Sequence, residues 1–437
     1  MKDKHLVVIS IDAMVTKDID YAKTLPNFKK IIDGAAMIPS VTTIYPTLTH
    51  PIHATLLTGT PVSATGIPNN IIFHKDDPTI SREWYNRLDE IKCDTIFHAA
   101  KRAGYTTAAS TWPVTVGGEK YIDYLIPGAL NYYFEGREND LPSVYRSLGA
   151  PECVMDIIAD SVEKYGSADV HPSIDFYQFG CACEIIKRFK PGLLLMHPGN
   201  VDAARHKNGI YGEAVLESLR EVDEMLGMLL GALEDADILD STDIVLLSDH
   251  GQIGITRAVS PNVFLKEAGF ITVDEDGKLE DWSAFAKSAG GSAQVYLKDP
   301  SDKETHDKVY ALLSEMASKN LYGFERVYTT SEVEAEYGLS GDFSFVLETD
   351  GYTRFDEWLL GSGVKGFDYG DYSTGRGTHG YLPSKGPQPI FIAKGPSFKE
   401  GVVMSEGSIL NHAPTLAKVL GVELKDAVGH AVEEILK

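Results

Sequence analysis

Of six residues able to hold a metal ion or move a proton, five follow short apolar runs and one precedes such a run. Asp12 follows Leu6–Ile11, Asp202 and His206 follow Gly192–Met196, and Asp249-His250 follows Ile244–Ser248. His379 lies in Gly377-Thr-His-Gly380, shortly before the apolar run Pro389–Ala393. Three carboxylates and three imidazoles are the donors a zinc-like ion takes. Six such donors suffice for two ions, each with three protein ligands and positions left open. Taken singly, an Asp at a strand end is an ordinary helix cap or turn residue. Asp249-His250 is less ordinary. Neighbours in a regular strand face opposite sides, so both reach one pocket only where the strand ends, and Gly251 suits such a turn. Asp202 and His206, four apart, sit on one helix face or on a loop.

A hydroxyl completes the set. In Tyr45-Pro-Thr-Leu-Thr-His-Pro51, Thr49 precedes Pro51 and an apolar run, the pattern of a helix start with Thr49 at or near the N-cap. It either caps the helix or stands at an anion-binding helix N-terminus, where a neighbouring metal would make it a nucleophile toward phosphorus. Asn70, in Gly66-Ile-Pro-Asn-Asn70, is an ordinary turn residue or a donor to a phosphoryl oxygen. Arg205, Lys75, Arg376 and Lys207 are the cations nearest these motifs, and Trp112 and the tyrosines 121, 124, 132 and 133 are either core residues or walls of an aryl pocket.

These residues need a scaffold that brings strand ends together. The strand-like runs, including Tyr105–Thr111, are short, apolar and without alternation, as strands buried on both faces of a parallel sheet read. Helical patterns lie between them, at Tyr21–Asp33, Asp94–Ala103, Ala214–Asp235 and Ala413–Leu420. Alternating elements predict an α/β sandwich with a mostly parallel sheet, whose ligands bind beyond the carboxyl ends of the strands. Residues 265–372 read as a small α+β insertion, with strands at Ser292–Leu297 and Phe343–Glu348 and a helix at His306–Lys319, so the core comprises 1–264 and 373–437. The Gly-, Pro- and Tyr-rich stretch 115–190 reads as irregular wall or lid. The chain has 437 residues and a formal net charge of −23, a balance that argues against wrapping nucleic acid or docking on an anionic membrane. Four cysteines are few and lack zinc-site spacing, so they read as reduced residues. The opening apolar run is too short for a signal peptide or a span, and a cytoplasmic location is expected.

The motifs together resemble the nucleotide pyrophosphatase/phosphodiesterase family of the alkaline phosphatase superfamily. The matching pieces are the strand ending in Asp12, Pro-Thr-x-Thr-x-Pro closing in Thr58-Gly59, Asp202-x3-His206, Ser248-Asp-His-Gly251, Gly377-Thr-His-Gly-Tyr381 and the C-terminal Asn411-His-Ala-Pro segment. The resemblance implies an alkaline-phosphatase-like three-layer α/β/α sandwich with 265–372 as cap. It implies that Asp12, Thr49, Asp249 and His250 hold one divalent ion and Asp202, His206 and His379 the other, most simply zinc, with manganese or iron as alternatives. Thr49 would be the nucleophile, Asn70 the oxyanion donor, and a phosphoester or nucleotide the substrate. Three positions depart from the family pattern: Ile52 for Asn, Arg205 for Gly, and Thr65-Gly-Ile for His-Gly-Ile. A phosphonoacetate-type phosphonate hydrolase or a phosphomonoesterase would use the same residues. A non-catalytic metal-dependent binding protein would require a lost ligand or nucleophile, and none is lost.

Overall fold

The computed structural model describes residues 4–437 except 81, 129–132, 134, 136–139, 167–169 and 368–374. Its centre is a seven-stranded sheet in the order Ala36–Ile38, Phe391–Lys394, Thr242–Leu247, His5–Ser10, Leu193–Met196, Thr107–Ser110 and Tyr124–Ile126. The last five run parallel, whereas Phe391–Lys394 is antiparallel to both its neighbours. Strands predicted from apolar runs thus form, each shifted by one or two residues. Side chains alternate between two apolar cores: Leu6, Val8, Leu193 and Leu195 enter one, and Val7, Ile9, Leu194 and Met196 the other. Burial on both faces is why these runs show no polar alternation.

Helices cover both faces. Thr49–Thr58, Ile96–Arg102 and His412–Leu420 pack on one side, and Pro26–Ile32, Met155–Tyr165, Ser173–Phe189 and Glu213–Asp235 on the other. The three-layer α/β/α architecture is therefore present. The helix predicted over Tyr21–Asp33 is broken into Ile19–Ala22 and Pro26–Ile32, because proline suits a first helical turn and not an interior. The stretch 115–190 is far less irregular than its composition suggests. Among its described residues are three α-helices, and in Ser173–Phe189 a run from Tyr177 to Cys183 is buried on all sides, so no amphipathic signal marks it.

Within 265–372 a four-stranded antiparallel sheet is ordered Ala284–Ser288, Ser292–Leu297, Phe345–Thr349 and Phe324–Thr329, backed by the helix Lys303–Ser318. Its apolar side chains join the core under Thr49–Thr58. Glu348, buried on this sheet, accepts the Leu382 N–H at 3.1 Å and an ion pair from Lys385 at 3.1 Å. The turn Ala289–Gly291 abuts the His379 loop, where the Gly291 N–H donates to the His379 carbonyl at 2.6 Å. Gly380 has φ +93°, and a Cβ there would overlap the Ala289 carbonyl oxygen. Gly380→Ala should therefore lower the melting temperature and loosen the His379 loop together. A thermal melt with metal analysis checks this, and a variant that melts and binds metal like wild type contradicts it.

Candidate functional site

The strand exits converge at the carboxyl edge of the sheet. Asp12 follows His5–Ser10, and Asp249-His250 ends Thr242–Leu247. Asp202 and His206 share the helix Asn200–Asn208, with Nε2 of His206 3.2 Å from Asp202 Oδ2. His250 Nε2 lies 3.3 Å from Asp249 Oδ2 and 3.6 Å from Asp12 Oδ1. His379 Nε2 lies 3.9 Å from Asp202 Oδ1, and its ring stacks on His250 at 4.0 Å. Donor atoms of Asp202, His206 and His379 lie within 4.8 Å of one another, as do those of Asp12, Asp202 and His250. All six sequence-derived donors are thus brought together.

Thr49 is the first residue of its helix, not its cap; Leu48 is the cap, and no side chain caps there. Its hydroxyl is free of that duty and sits 3.2 Å from His250 Nε2. The Asn70 Oδ1 accepts the His50 N–H at 2.9 Å, which turns its amide NH2 toward the cavity it lines. Thr47 ties the nucleophile segment to the last histidine. Its carbonyl accepts from His379 Nδ1 and from the Gly380 N–H, both at 2.9 Å, and its hydroxyl donates to the Tyr381 carbonyl at 3.0 Å.

The tautomers are informative. The Nδ1 atoms of His206 and His379 lie 2.9 Å from the Gly377 and Thr47 carbonyl oxygens. A carbonyl can only accept, so each Nδ1 carries the hydrogen. In the neutral ring Nε2 is then a bare lone pair facing carboxylate oxygens, an arrangement that repels unless a proton or metal ion lies between. Metal-ligating histidines characteristically donate the other ring N–H in this way. His197, which sequence reasoning missed, repeats the pattern: Nδ1 donates to Ser10 O at 2.9 Å and Nε2 faces Asp12 Oδ2 at 3.2 Å. Its signal was available as His197-Pro198 immediately after a core strand. His53 differs, since it donates Nδ1–H to Thr49 O at 2.7 Å and accepts from Ser10 Oγ at 3.0 Å. With both nitrogens satisfied it braces the helix start and has no lone pair to offer, although it clusters with His197 and Asp249.

Electrostatics point the same way. Burial, with repulsion from Asp202 and Asp249, pushes the Asp12 carboxyl well above its usual range, and burial raises Asp249 too. Burial opposes ionisation of Asp202 as well, but His206, His379 and His250 hold it below the carboxylate range. Burial lowers His250 to about 4 and His379 to about 3. Buried Asp12 Oδ1 and Asp249 Oδ2 have no hydrogen-bond partner among the described residues. Orphaned carboxylate oxygens beside bare imidazole nitrogens fit divalent ions.

Several sequence candidates lie elsewhere. Arg205 is fully buried, paired with Asp18 at 2.5 Å and donating to the carbonyls of Ala13 and Ile210, so it faces no substrate. None of Arg205, Lys75, Lys207 and Arg376 lines the cavity of about 400 Å³ above Thr49. Ile52 is a core residue, and Trp112 is 1% exposed against the edge of His53 rather than a pocket wall. Tyr121 packs on His98, Tyr124 on Phe189, and Tyr133 beside Val116 and Val144; Tyr132 lies outside the described residues. The aromatic walls are instead Trp84, Tyr145 and Tyr177, which no local motif marked.

Three outcomes follow. In metal-free protein, Asp12→Asn should melt a few degrees above wild type, because the raised carboxyl is protonated at low pH and its repulsion destabilises the fold as pH rises. Zinc should raise the melting temperature of wild type and much less that of the variant. Arg205→Gln should cost about 3–5 kcal/mol in denaturant melts, by stranding buried Asp18.

Comparison with known proteins shows the family and the fold. The profile of the type I phosphodiesterase/nucleotide pyrophosphatase family matches residues 6–382. The chain is 26% identical to ectonucleotide pyrophosphatase/phosphodiesterase 1 of Saccharomyces cerevisiae over 84% of its own length and 48% of the relative's. It is 21% identical to family member 7 of Rattus norvegicus, over 97% of the chain and 85% of the relative. Human ectonucleotide pyrophosphatase/phosphodiesterase 5 superposes with a TM-score of 0.68 at 20% identity, over 99% of this chain and all of that one. An inactive threonine-to-alanine variant of the murine protein, in complex with AMP, gives 0.67 at 19% identity. The fold is thus the alkaline-phosphatase-like α/β fold of these structures, and the chain belongs to the type I phosphodiesterase/nucleotide pyrophosphatase family.

Proposed function

We propose that the protein is a metal-dependent hydrolase of phosphodiester or pyrophosphate bonds that works through a phospho-Thr49 intermediate. The observation that carries this reading is the Thr49 hydroxyl, not spent on capping at a helix N-terminus and within hydrogen-bond distance of His250 Nε2, at 3.2 Å, beside two carboxylate–imidazole clusters. Two divalent ions, zinc by donor type, held by Asp12, Thr49, Asp249 and His250 and by Asp202, His206 and His379, would supply Lewis acidity and lower the Thr49 hydroxyl pKa. His197 is a further ligand candidate on the Asp12 side.

The remaining chemistry belongs to the chain. The Thr49 hydroxyl gives its proton to solvent as its oxygen attacks phosphorus, the bond to the leaving oxygen breaks with its electron pair, and that oxygen takes a proton from solvent. Water then cleaves phospho-Thr49 and regenerates the hydroxyl. Asn70 donates from Nδ2 to a non-bridging oxygen, held in aim because Oδ1 is taken by the His50 N–H. The helix dipole of Thr49–Thr58 favours the same negative charge. No Lys or Arg lines the cavity among the described residues, which disfavours the second charge of a simple phosphomonoester. The segment 265–372 acts as a cap-like subdomain in this reading, supported by its own sheet and by the Gly291–His379 contact.

Zinc-loaded protein should hydrolyse methyl nitrophenyl phosphate faster than nitrophenyl phosphate. Thr49→Ala should lose on the order of 10³-fold or more in kcat while retaining metal, and Asn70→Ala roughly 10²-fold to 10³-fold. Preference for the monoester, or turnover surviving in Thr49→Ala, would sink this reading.

A further inference from the structure

A histidine outside both donor clusters also faces the cavity. His171 precedes the helix Ser173–Phe189 and lines the cavity with Ile174, Tyr177 and Gly199. Its Nδ1 lies 2.6 Å from Asp175 Oδ2. Asp175 is fully buried, and its other oxygen accepts the Gly199 N–H at 2.7 Å. The ring rests on Gly199, where a Cβ would come within 2.9 Å of His171 Cε1, so a side chain at 199 would displace it. The carboxylate takes the Nδ1 hydrogen and leaves Nε2 without a hydrogen-bond partner among the described residues. A half-exposed imidazole fixed by a buried carboxylate and a glycine platform is a built feature, and neither donor cluster uses it.

Charge makes it distinctive. The lining residues include no Lys or Arg among those described. His197, His206 and His379 face carboxylates of the donor clusters, and burial pushes His50 down to about 3, which leaves it uncharged. His171 is the lining side chain placed to carry positive charge toward a substrate. Burial works against that charge, but the hydrogen bond to Asp175 and its field outweigh it and hold the imidazolium above its usual range. Asp202, from the helix Asn200–Asn208, and Glu221, from Glu213–Asp235, act in the same direction.

We propose that His171, fixed by Asp175 and Gly199, is a specificity residue that binds a second anionic group of the substrate on the Asp202 side of the scissile phosphorus. Gly199, on which the ring rests, immediately precedes the helix carrying Asp202 and His206. In the reaction proposed above, on which this inference rests, Thr49 attacks from the His250 side, so an in-line displacement puts the leaving oxygen toward the Asp202 cluster. An anionic group there belongs to the leaving side, as the second phosphate of a pyrophosphate linkage does. His171 would therefore favour pyrophosphate-linked substrates over simple diesters.

Binding isolates this role from turnover. In zinc-loaded Thr49→Ala protein, calorimetry with AMP and ADP compares ligands one phosphate apart. ADP should bind more tightly than AMP, and adding His171→Gln should weaken ADP about tenfold, the scale of a lost charged hydrogen bond, while shifting AMP by less than about twofold. His171→Lys, positively charged at neutral pH, should restore the ADP preference. Equal losses for both ligands, an unchanged ADP advantage in His171→Gln, or no binding of either ligand overturns the inference. Failure of the Thr49 protein to cleave a nitrophenyl diester would instead overturn the hydrolase reading, independently of the binding result.

Discussion

Asp12, Asp202 and Asp249 meet in one buried space at the carboxyl edge of the sheet, and their mutual repulsion is the condition that the surrounding structure answers. Burial removes the water that would screen them, and like charges in a low dielectric repel strongly. Protonation relieves part of this, as the raised carboxyls of Asp12 and Asp249 show. The imidazoles relieve the rest only if something positive lies between them and the carboxylates. His206, His379 and His197 spend their Nδ1 hydrogens on backbone carbonyls and aim bare Nε2 atoms inward. The arrangement is costly when empty of cations and favourable around them, which is the energetic signature of a binding site rather than of a structural ion-pair network.

Holding that geometry is the work of the backbone. Asp12, Asp249 and His250 follow within three residues of strands buried on both faces, the stiffest part of the fold, and Asp202 stands on the helix that follows the next strand. Thr47 joins the segment before Thr49 to the loop bearing His379, although 332 positions separate them in sequence. Glu348 and the glycine turn Gly290-Gly291 press the four-stranded antiparallel sheet against that same loop. Behind the site, buried Arg205 pairs with Asp18 and braces the Ala13 and Ile210 carbonyls. Its guanidinium supports the first strand exit from within, so a residue that sequence proximity marked as a substrate contact is part of the scaffold.

Legibility followed burial and locality. Core strands were legible because an apolar run bounded by turn residues needs no partner to be recognised. Helix Glu213–Asp235 was legible because its buried residues recur with helical spacing. Helix Ser173–Phe189 was not, because burial around most of its circumference erases the polar stripe. Five of the six metal-type donors were legible because they follow core strands, and His379 because it lies between glycines shortly before one. His197 sits at an equally good place, but a single His beside Pro has no partner within helical reach to distinguish it. The cavity walls Trp84, Tyr145 and Tyr177 come from three separate segments, and nothing local connects them.

The sequence by itself determined the layered α/β class, the strand exits and the residue types gathered there, because hydrophobic patterning and donor chemistry are local properties. It also placed Thr49 at a helix start through Pro51 and the apolar run that follows. Only the tertiary structure decided that Thr49 stands inside the cap rather than as the cap, that Arg205 points into the protein, and that Trp112 is core. It alone fixed which imidazole nitrogen carries the hydrogen, since that depends on carbonyls up to 332 positions away. Orientation and charge state are set by contacts across the fold, and sequence spacing carries no information about those.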